Sequence, residues 1–451
     1  MKYVEGYDNL IELVEQSDHE GLKVALNGMR SADVAEYIDE HFEVYNALAL
    51  LDEMEPEQQA QVFGYLRPTH QQEIASHMEI GVLAKLFRDM SSDERADVYA
   101  LLDIKLQDAL MRRMARSERE DLLRLASYEE GTVGSVMTSD YATIPISATV
   151  EQALKKLRQS APEKESIYQA YVIDSDHKLM GVVSLRQILT AAPHEYIDEL
   201  MTRDVITVNP DMPQSEAARI IRRYDLIAIP AVTDASLLVG MVTFDDAMDV
   251  VEEEDTETMH RSASVGVLEM SLTEAGPLTL YRKRINWLVL LVFVNIFSGA
   301  AIAYFEDTIM TYAALLFFLP LLIASGGNSG SQTATLVIRA IATGDIGRGD
   351  GAKLFAKEIL VSALLGLSMS VAVMAVAYFR APDIIIVVGL SMFSIVMIGS
   401  LTGLMLPFLL KVVGWDPATA STPLVTTIAD AVGVVIYFVI ATLVLGLAVG
   451  G

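Results

Sequence analysis

Five long apolar stretches, all in the last two-fifths of the chain, most constrain its fold. They run approximately over Ile285–Phe305, Thr311–Ile338, Leu354–Phe379, Ile384–Val413 and Pro423–Val449. Each is long enough to cross, as a helix, a hydrocarbon core about 30 Å thick. The sequence therefore predicts a multidomain membrane protein whose residues 281–451 form a transmembrane domain of five α-helices.

Charge is concentrated in the other part of the chain. The sequence has 60 acidic and 33 basic residues, but Tyr281–Gly451 holds only 8 and 9 of them, so Met1–Leu280 carries a net charge of −28. This acidity argues against a nucleic-acid partner, because phosphate binding needs Lys and Arg. It fits a surface that collects cations, or one that merely keeps the region soluble. The absence of cysteine excludes disulfides and thiolate sites.

Basic residues near the apolar stretches predict the topology. They precede the first stretch, flank the connection between the second and third, and end the fourth: Arg282, Lys283, Arg284, Arg339, Arg348, Lys353, Lys357 and Lys411. Because Lys and Arg stay on the cytoplasmic side, we expect the acidic region in the cytoplasm and the C-terminus outside the cell membrane. The first thirty residues lack an apolar core with a cleavage site, so we expect no signal peptide.

Residues 1–128 read as a run of short amphipathic helices. Four degenerate segments place a polar helix start and helically spaced apolar residues after a Met: NGMRSADVAEYI, DEMEPEQQAQVFGYL, RDMSSDERADVYALL and RRMARSEREDLLRLA. Ser92, followed by Asp93 and Glu94, suits a helix N-terminus, where the helix dipole favours negative charge. Helical pairs that repeat in this way stack into an α-helical solenoid. A plain helical bundle is the alternative.

A clearer repeat follows. VMTSDYATIPISATVEQALKKL, from Val136, parallels LMTRDVITVNPDMPQSEAARII, from Leu200. Each copy predicts strand, helix, strand, turn, strand and helix, and the pair resembles tandem CBS (α/β) modules at residues 132–196 and 197–253. Such pairs often bind adenine nucleotides through a Ser or Thr with Asp three residues later. The second copy has this pattern at Thr243 and Asp246, so ATP is a candidate ligand; alternatively, Thr243 only caps the last helix.

That last helix continues into an acidic run, DVVEEEDTETMH, which precedes the first apolar stretch. Carboxylates three or four residues apart share a helix face and repel each other by a few tenths of a kcal/mol per pair. Mg²⁺ prefers oxygen ligands and would relieve this repulsion; a solvated acidic face is the alternative. The position of the run favours a role in gating, and we expect residues 254–280 to form a long connecting helix.

The second apolar stretch contains an unusually polar segment, ASGGNSGSQTAT. Gly326 and Gly330 are four residues apart, a spacing that lets helices pack closely. Alternatively, the polar side chains of this segment face a wet pathway; these are Asn328, Ser329, Ser331, Gln332 and Thr333.

The last apolar stretch carries a lone carboxylate, Asp430, about 10 Å from its start at 1.5 Å per residue. No Lys or Arg in the same stretch can pair with it. A charge inside the bilayer costs about 2.5–3.5 kcal/mol on insertion scales, so such a residue normally faces a cavity or pathway. Thr426, Thr427 and Gly433 lie within one helical turn, and Asp416 lies in the preceding connection. A neutral Asp430, hydrogen-bonded within a helix interface, is the alternative.

With these features the chain resembles the MgtE family of magnesium channels and transporters over its whole length. The matching motifs are TEAGPLTLYRKRINWL, LPLLIASGGNSGSQTATLVIRAIATGDI, LPFLLKVVGWDP and TTIADAVGVVIYF. The resemblance implies a homodimer whose pore, lined mainly by the second and fifth spans, conducts Mg²⁺ inward. Asp430 would hold hydrated Mg²⁺ in the pore, and Asp416 would stand at its cytoplasmic mouth.

The resemblance also implies that Mg²⁺ bound to the cytoplasmic domains closes the gate. Together with the acidic run, it predicts regulatory metal ligands at Asp93, Asp225, Asp246, Asp249, Glu253, Glu254 and Glu257. The segment from about residue 257 to 279 matches the family's plug helix. Thr258 and Met259 stand there where an acid is common in the family.

Three other functions are open. The chain is an alternative candidate for a broader divalent transporter of Co²⁺, Ni²⁺ or Mn²⁺, although the spans contain no Cys or His to favour those metals. It is also a candidate for a CBS-regulated exporter or channel of another ion, although an anion path needs basic groups or helix N-termini in the membrane. A nucleotide-sensing scaffold would leave Asp430 unexplained. No nucleophile–His pair, Walker motif or His cluster predicts an enzyme.

Overall fold

The computed structural model of the chain describes residues 10, 13–14, 16, 18–268, 272, 275–346, 349–419 and 422–446. The chain divides into two compact units, Met1–Glu252 and Glu253–Gly451. The division falls inside the predicted acidic run, so the acidic and apolar parts of the sequence fold as separate units.

The first unit begins with a series of short helices. Within the described residues they are α1 His19–Leu26, α2 Ser31–His41, α3 Val44–Asp52, α4 Pro56–Tyr65, α5 Pro68–His77, α6 Ile80–Asp89, α7 Ser92–Leu101, α8 Ile104–Met111 and α9 Arg116–Leu125. Pro56 and Pro68 each occupy a first helical position, where the missing N–H costs nothing. From α2 onward, each helix packs against the helix two places along the chain. This repeated packing is that of the predicted solenoid.

The α/β repeat follows the helices. Its first copy contains α10 Val133–Val136, β1 Tyr141–Pro145, α11 Val150–Ser160, β2 Ser166–Ile173, β3 Leu179–Ser184 and α12 Leu185–Thr190. Its second copy contains α13 Ile197–Leu200, α14 Gln214–Tyr224, β4 Ala228–Val232, β5 Leu238–Thr243 and α15 Phe244–Ser262. In the first copy β1 pairs parallel with β2, and β2 pairs antiparallel with β3.

The second copy departs from the predicted order at its start. Its first predicted strand is reduced to a single parallel bridge between Val208 and Ala231, and the sheet has only the antiparallel pair β4–β5. Asn209 and Pro210 follow Val208 immediately, and both residue types disfavour a longer strand.

The two copies exchange their leading segments. Thr138, which precedes β1, bridges to Met241 of β5, and Thr202 of the second copy bridges to Val182 of β3. The glycines at the crossings repeat the symmetry. A Cβ on Gly240 would lie 2.5 Å from the sulfur of Met137, and a Cβ on Gly181 would lie 2.7 Å from the sulfur of Met201. The repeat seen in the sequence is therefore a pseudo-twofold pair in the structure.

The second unit consists of long apolar helices. Within the described residues they are α16 Pro277–Tyr304, α18 Leu315–Ala342, α19 Gly351–Arg380, α20 Ile385–Val413 and α21 Thr422–Leu445, with a short α17 Glu306–Thr311. Helix α20 packs against α18, α19 and α21, and α16 packs against α21. The unit thus has α20 at its centre and α16 at its edge. Helix α15 ends at Ser262 and α16 begins at Pro277, and the described residues between them are not helical, so the predicted connecting helix over residues 254–280 is not continuous.

Four of these helices are long and apolar enough to cross a membrane: α16, α19, α20 with the short turn before it, and α21. This count covers the described residues. Helix α18 has 28 residues, or about 42 Å at 1.5 Å per residue, but it contains the polar segment ASGGNSGSQTAT. The five predicted spans therefore all correspond to long helices, and the second is the one whose polarity separates it from the others.

Candidate ion pathway and acidic cluster

The carboxyl group of Asp430 lies where α21 meets α18. A Cβ placed on Gly327 would be 3.3 Å from Asp430 Oδ1 and 3.3 Å from the methyl carbon of Thr426. Glycine at this point of α18 therefore makes room for the Asp430 side chain. Asp430 is half-buried, and no basic side chain pairs with it in the described part of the chain. The arrangement is a single carboxylate set against small and polar groups.

The polar segment of α18 presents different residues on different faces. A Cβ on Gly399 of α20 would lie 2.3 Å from the carbonyl oxygen of Gly326, and one on Gly403 would lie 2.0 Å from that of Gly330. These glycines let the α18 and α20 backbones touch, as the close-packing interpretation predicts. Asn328, by contrast, is exposed. The glycines of the segment thus fit the interpretation of close helix packing, and Asn328 fits that of a residue facing a wet pathway.

Gln332 shares this exposed face, one turn further along α18. Exposed amides on an apolar helix are costly against lipid, because hydrocarbon offers no hydrogen-bond partner. Ser329, by contrast, is buried, and its Oγ lies 2.5 Å from Oγ of Ser400 on α20. Among the predicted lining residues, Asn328 and Gln332 are therefore the accessible ones on α18.

Thr427 and Gly433 of α21 lie inside the packed unit. The Thr427 hydroxyl donates to the carbonyl of Pro423 at 2.7 Å. A Cβ on Gly433 would be 3.5 Å from Ile395, an ordinary packing distance. Both residues thus contact their own chain rather than open space.

Sequence reasoning missed Glu358, a carboxylate within α19. Its Oε1 accepts a hydrogen bond of 2.9 Å from the hydroxyl of Thr333, a residue of the polar segment of α18. The partnership joins two spans, and nothing in the local sequence around residue 358 indicates it. The only available signal was a carboxylate in an apolar stretch.

Asp416 lies between α20 and α21, and both of its carboxylate oxygens have partners. Oδ1 accepts from the backbone N–H of Ala418 at 2.8 Å. Oδ2 accepts from the guanidinium of Arg261, which also donates to Glu257 one turn earlier in α15. Two predicted metal ligands, Asp416 and Glu257, are therefore joined by a basic side chain of the same unit.

In the first unit, six carboxylates from four segments form what we call the acidic cluster: Asp93, Glu94, Asp140, Glu165, Asp245 and Asp246. One oxygen each of Glu165, Asp245 and Asp246 lies within 4.8 Å of the other two. Asp140 accepts from the backbone N–H of Ser92 at 3.0 Å, which ties the start of α7 to the α/β repeat. The cluster thus joins α7 of the solenoid to residues of both CBS-like copies.

Crowding makes these groups hard to ionise. Removal from water raises the pKa of Glu165 to about 8, even though part of the side chain is exposed, and the charges of Asp93, Asp246 and Asp245 add to the shift. The pKa of Asp246 rises to about 7, first through removal from water and then through Asp93. Burial and Glu94 raise the pKa of Asp93 to about 6. Two cations lie near Asp140, with Arg95 at 4.0 Å and Lys164 at 3.9 Å.

The donor set fits a hard divalent cation. All six groups offer carboxylate oxygens, and Mg²⁺ prefers oxygen ligands at about 2.0–2.1 Å while keeping several waters. The Oδ1 atom of Asp93 is buried and has no hydrogen-bond partner within the described residues. A buried polar atom without a partner costs free energy. A cation at this point would satisfy that oxygen and offset the repulsion.

The remaining predicted sensor residues lie outside the acidic cluster. Asp225 ends α14 in a left-handed conformation (φ 51°) and is exposed. Asp249 is one turn beyond Asp245 on α15, and desolvation followed by repulsion from Asp245 raises its pKa. Glu253 and Glu254 are exposed further along the same helix. Only Asp93 and Asp246, of the predicted ligands, come together here.

Thr243 stands at the start of α15. Its hydroxyl donates to Asp246 Oδ2 at 2.5 Å and accepts from the Asp246 N–H at 3.4 Å. This is a helix cap, so the capping interpretation describes the observed contact. In the first copy Ser184 and Gln187 form the equivalent cap.

Comparisons with known proteins cover nearly the whole chain. A family profile described as divalent cation transporter (MgtE) matches residues 319–440, and the MgtE intracellular N domain matches residues 29–131. CBS-domain profiles match residues 133–194 and 197–253. The magnesium transporter MgtE of Thermus thermophilus is 36% identical over 445 residues, which cover 97% of this chain and 98% of that protein. The Bacillus subtilis MgtE is 32% identical, covering 87% and 93%.

Two solved structures resemble the first unit. The cytosolic domain of the Mg²⁺ channel MgtE in complex with ATP has a TM-score of 0.52 at 30% identity, covering 54% of this chain and 99% of that one. The soluble part of a magnesium transporter has a TM-score of 0.52 at 24% identity, covering 55% and 98%, and supports the fold alone.

Proposed function

Since the chain belongs to the MgtE family of magnesium transporters, we propose that it forms a Mg²⁺-selective channel gated by its own cytoplasmic domains. The relatives are transporters rather than enzymes, and the membrane unit has the apolar helices that such a role requires. We further propose that the first unit lies in the cytoplasm, that the C-terminus lies outside, and that Mg²⁺ moves inward.

The observation that carries the pore proposal is the setting of Asp430. It is a single, half-buried carboxylate without a basic partner in the described residues, and it faces Gly327. A carboxylate that holds Mg²⁺ through the ion's water shell supplies attraction without stripping that shell, which Mg²⁺ loses reluctantly. Conduction also requires binding weak enough for the ion to leave. One carboxylate from each chain meets both needs.

The exposed amides of α18 support a pore on a homodimer axis. Asn328 and Gln332 are exposed in one chain, and lipid would leave them without hydrogen-bond partners. A second copy, with water between the two, would supply those partners. We therefore propose that α18 and α21 of two chains line the pathway, with Thr426 beside Asp430 and Asp416 at the mouth. Behind this lining, three predicted residues would pack within each chain: Ser329, Thr427 and Gly433.

We propose that Mg²⁺ at the acidic cluster closes the channel. Removal from water first, and then repulsion between neighbouring carboxylates, raises the pKa values of Glu165, Asp246 and Asp93, and this supports the proposal. A divalent cation would hold α7 against the α/β repeat, whereas its loss would let the two parts separate. Asp225, Asp249, Glu253, Glu254 and Glu257 remain proposed ligands for further ions on the same unit or its neighbouring helix.

We also propose one ATP site at the second CBS-like copy. A relative's cytosolic domain was solved with ATP, and Thr243 and Asp246 have the residue types and spacing to bind a ribose. Asp246 belongs to the acidic cluster as well, so nucleotide and Mg²⁺ would influence each other there.

The test of the pore is Mg²⁺ flux into liposomes containing the purified full chain. Replacing Asp430 by Asn removes the charge and keeps the size. We expect Mg²⁺ flux to fall about a hundredfold or more, since a loss of about 3 kcal/mol of attraction is a factor of about 100. The matched control is Asp307→Asn, an exposed acid on α17, which should conduct normally. Normal flux through Asp430→Asn would overturn the pore proposal.

Metal selectivity is tested in the same liposomes. Co²⁺, Ni²⁺ and Mn²⁺ are offered in place of Mg²⁺ at equal concentration. Slower flux of these ions than of Mg²⁺ supports selectivity, and equal flux would favour the broader divalent transporter.

A further inference from the structure

Arg261 bridges two carboxylates from different elements of the second unit. Its guanidinium donates through one nitrogen to Glu257, one turn earlier on α15, and through the other to Asp416, between α20 and α21. The two acids are separated by 159 positions, and Arg261 is their shared partner. A planar guanidinium with several donors suits this task better than an ammonium group.

The guanidinium of Arg261 contacts both predicted metal ligands, Glu257 and Asp416. Asp416 Oδ2 is held by Arg261, and Asp416 Oδ1 is held by the N–H of Ala418. A metal ion can therefore reach an oxygen of Asp416 directly only after one of these donors leaves. The backbone N–H is fixed by the short helical turn Pro417–Thr419, whereas the arginine side chain can rotate away. Arg261 is thus the donor that can be exchanged.

Exposure shows that the exchange is feasible. The side chains of Arg261, Glu257 and Asp416 are 39%, 35% and 35% exposed within the described residues. Ion pairs with this much exposure contribute little stability, because water and salt screen them. A divalent cation in the millimolar range can compete with such a pair, whereas it could not displace a fully buried one.

We propose that Arg261 is a tethered cation that competes with Mg²⁺ for Glu257 and Asp416, and so sets the Mg²⁺ concentration at which this pair is occupied. The inference rests on the proposed role of Asp416 and Glu257 as metal ligands. With Arg261 in place the two acids are neutralised in part, and an approaching Mg²⁺ meets a positive charge. When Mg²⁺ binds, the guanidinium swings into solvent.

The chain contains a local reporter for this exchange. It has two tryptophans, Trp287 and Trp415, and Trp415 precedes Asp416 directly. In a Trp287→Phe background, the fluorescence of Trp415 follows events at Asp416 without requiring transport. The full chain in detergent is titrated with Mg²⁺ alone in this background.

Arg261→Gln removes the charge but keeps hydrogen-bonding capacity. We expect its half-saturating Mg²⁺ concentration to be about two- to fivefold lower than that of the parent, the range that weak exposed pairs allow. Arg261→Lys keeps the positive charge but lacks the forked pair of donors, so we expect a smaller shift in the half-saturating Mg²⁺ concentration. The control Arg284→Gln changes an exposed arginine at the start of α16 and should leave it unchanged.

The variant Asp416→Asn distinguishes a wrong metal role for Asp416 from a wrong assignment of competition to Arg261. Loss of the titration in Asp416→Asn, with a lower half-saturation in Arg261→Gln, supports the inference. If Asp416→Asn titrates like the parent, the proposed metal role of Asp416 is wrong. If Asp416→Asn loses the titration while Arg261→Gln matches the parent, or needs more Mg²⁺, then Arg261 is a structural tie and the competition is refuted.

Discussion

Asp430 lies alone among glycine and threonine on two apolar helices, whereas the six carboxylates of the acidic cluster crowd together in the first unit. Both arrangements offer oxygen to a hard cation. Under the proposed function, the single carboxylate of each chain would hold a hydrated ion weakly enough for it to pass. The crowded carboxylates of the cluster repel one another, so we expect their arrangement to depend on whether a cation is bound. On this proposal, the number of carboxylates that each chain contributes to a site distinguishes transport from sensing.

The two regions also differ in what keeps them rigid. Around Asp430, the α18 and α20 backbones touch at Gly326–Gly399 and Gly330–Gly403, which fixes the helices without any charge. At the acidic cluster, α7 is held to the repeat by a few polar contacts, such as that from Ser92 to Asp140. We therefore expect larger side chains to disrupt the helix packing around Asp430, and changes of charge to alter the acidic cluster.

The largest effect should come from adding a bulky side chain where the α18 and α20 backbones touch. Gly403→Leu would drive a side chain into the Gly330 carbonyl, which lies 2.0 Å from even a Cβ. We expect a loss of about 3 kcal/mol or more in the stability of the membrane unit. Gly299→Leu on α16 is the control, since a Cβ there meets nothing within 4 Å. Thermal unfolding in detergent compares them, and equal melting temperatures would contradict the close packing.

A smaller effect, of opposite sign, is expected from removing charge at the acidic cluster. Glu165→Gln should stabilise the contact between α7 and the α/β repeat without Mg²⁺ by about 1–2 kcal/mol after solvent screening, because it relieves like-charge repulsion. It should also weaken the further stabilisation that Mg²⁺ gives. Hydrogen exchange of the α7 amides in the full chain measures both. Glu199→Gln, an exposed acid on α13, is the control, and faster exchange in Glu165→Gln would contradict the repulsion.

The smallest expected effect is on pH dependence. The folded pKa values of Glu165 and Asp246, about 8 and about 7, lie above their ordinary values of 4.5 and 3.8. The folded state therefore binds more protons than the unfolded state between these limits, and stability falls as pH rises from about 5 to 8. After solvent screening we expect about 1 kcal/mol.

Hydrogen exchange of α7 at pH 5.5 and 8, corrected for the intrinsic exchange rate, measures this change. Saturating Mg²⁺ should abolish it, because the bound cation replaces the protons. A contact that becomes stronger at pH 8 without Mg²⁺ would contradict the assigned pKa directions.

Hydropathy and repeats predicted most of the fold, because each depends on residues close in sequence. The predicted span Ile384–Val413 differs from α20 by one residue at its start. The missing first strand of the second CBS-like copy was not visible, since its sequence pattern matches that of the first copy. Helix α18 could not be assigned to packing or to a pathway from composition, because the two roles lie on different faces.

The candidate sites were predicted where one residue was unusual in its own segment, as Asp430 is. The acidic cluster was predicted only in part. Asp93 and Asp246 were expected and Asp245 is the sequence neighbour of Asp246, but Glu165 joins them through a tertiary contact between segments far apart in sequence. The bridge from Arg261 to Asp416 spans 155 positions and has no local signal either. Contacts of this kind are formed by the fold between residues far apart in sequence, so no local pattern in a single sequence predicts them.

The most direct test of transport by one carboxylate and sensing by many is a single flux experiment. Mg²⁺ flux into liposomes is recorded while Mg²⁺ on the side of the first unit is varied, for the parent chain, Asp430→Asn and Glu165→Gln. We predict that the parent closes as Mg²⁺ rises, that Asp430→Asn is silent at every concentration, and that Glu165→Gln conducts less than the parent without Mg²⁺ and responds less to added Mg²⁺. Normal conduction by Asp430→Asn, or a Mg²⁺ response of Glu165→Gln equal to the parent's, would contradict the division of roles.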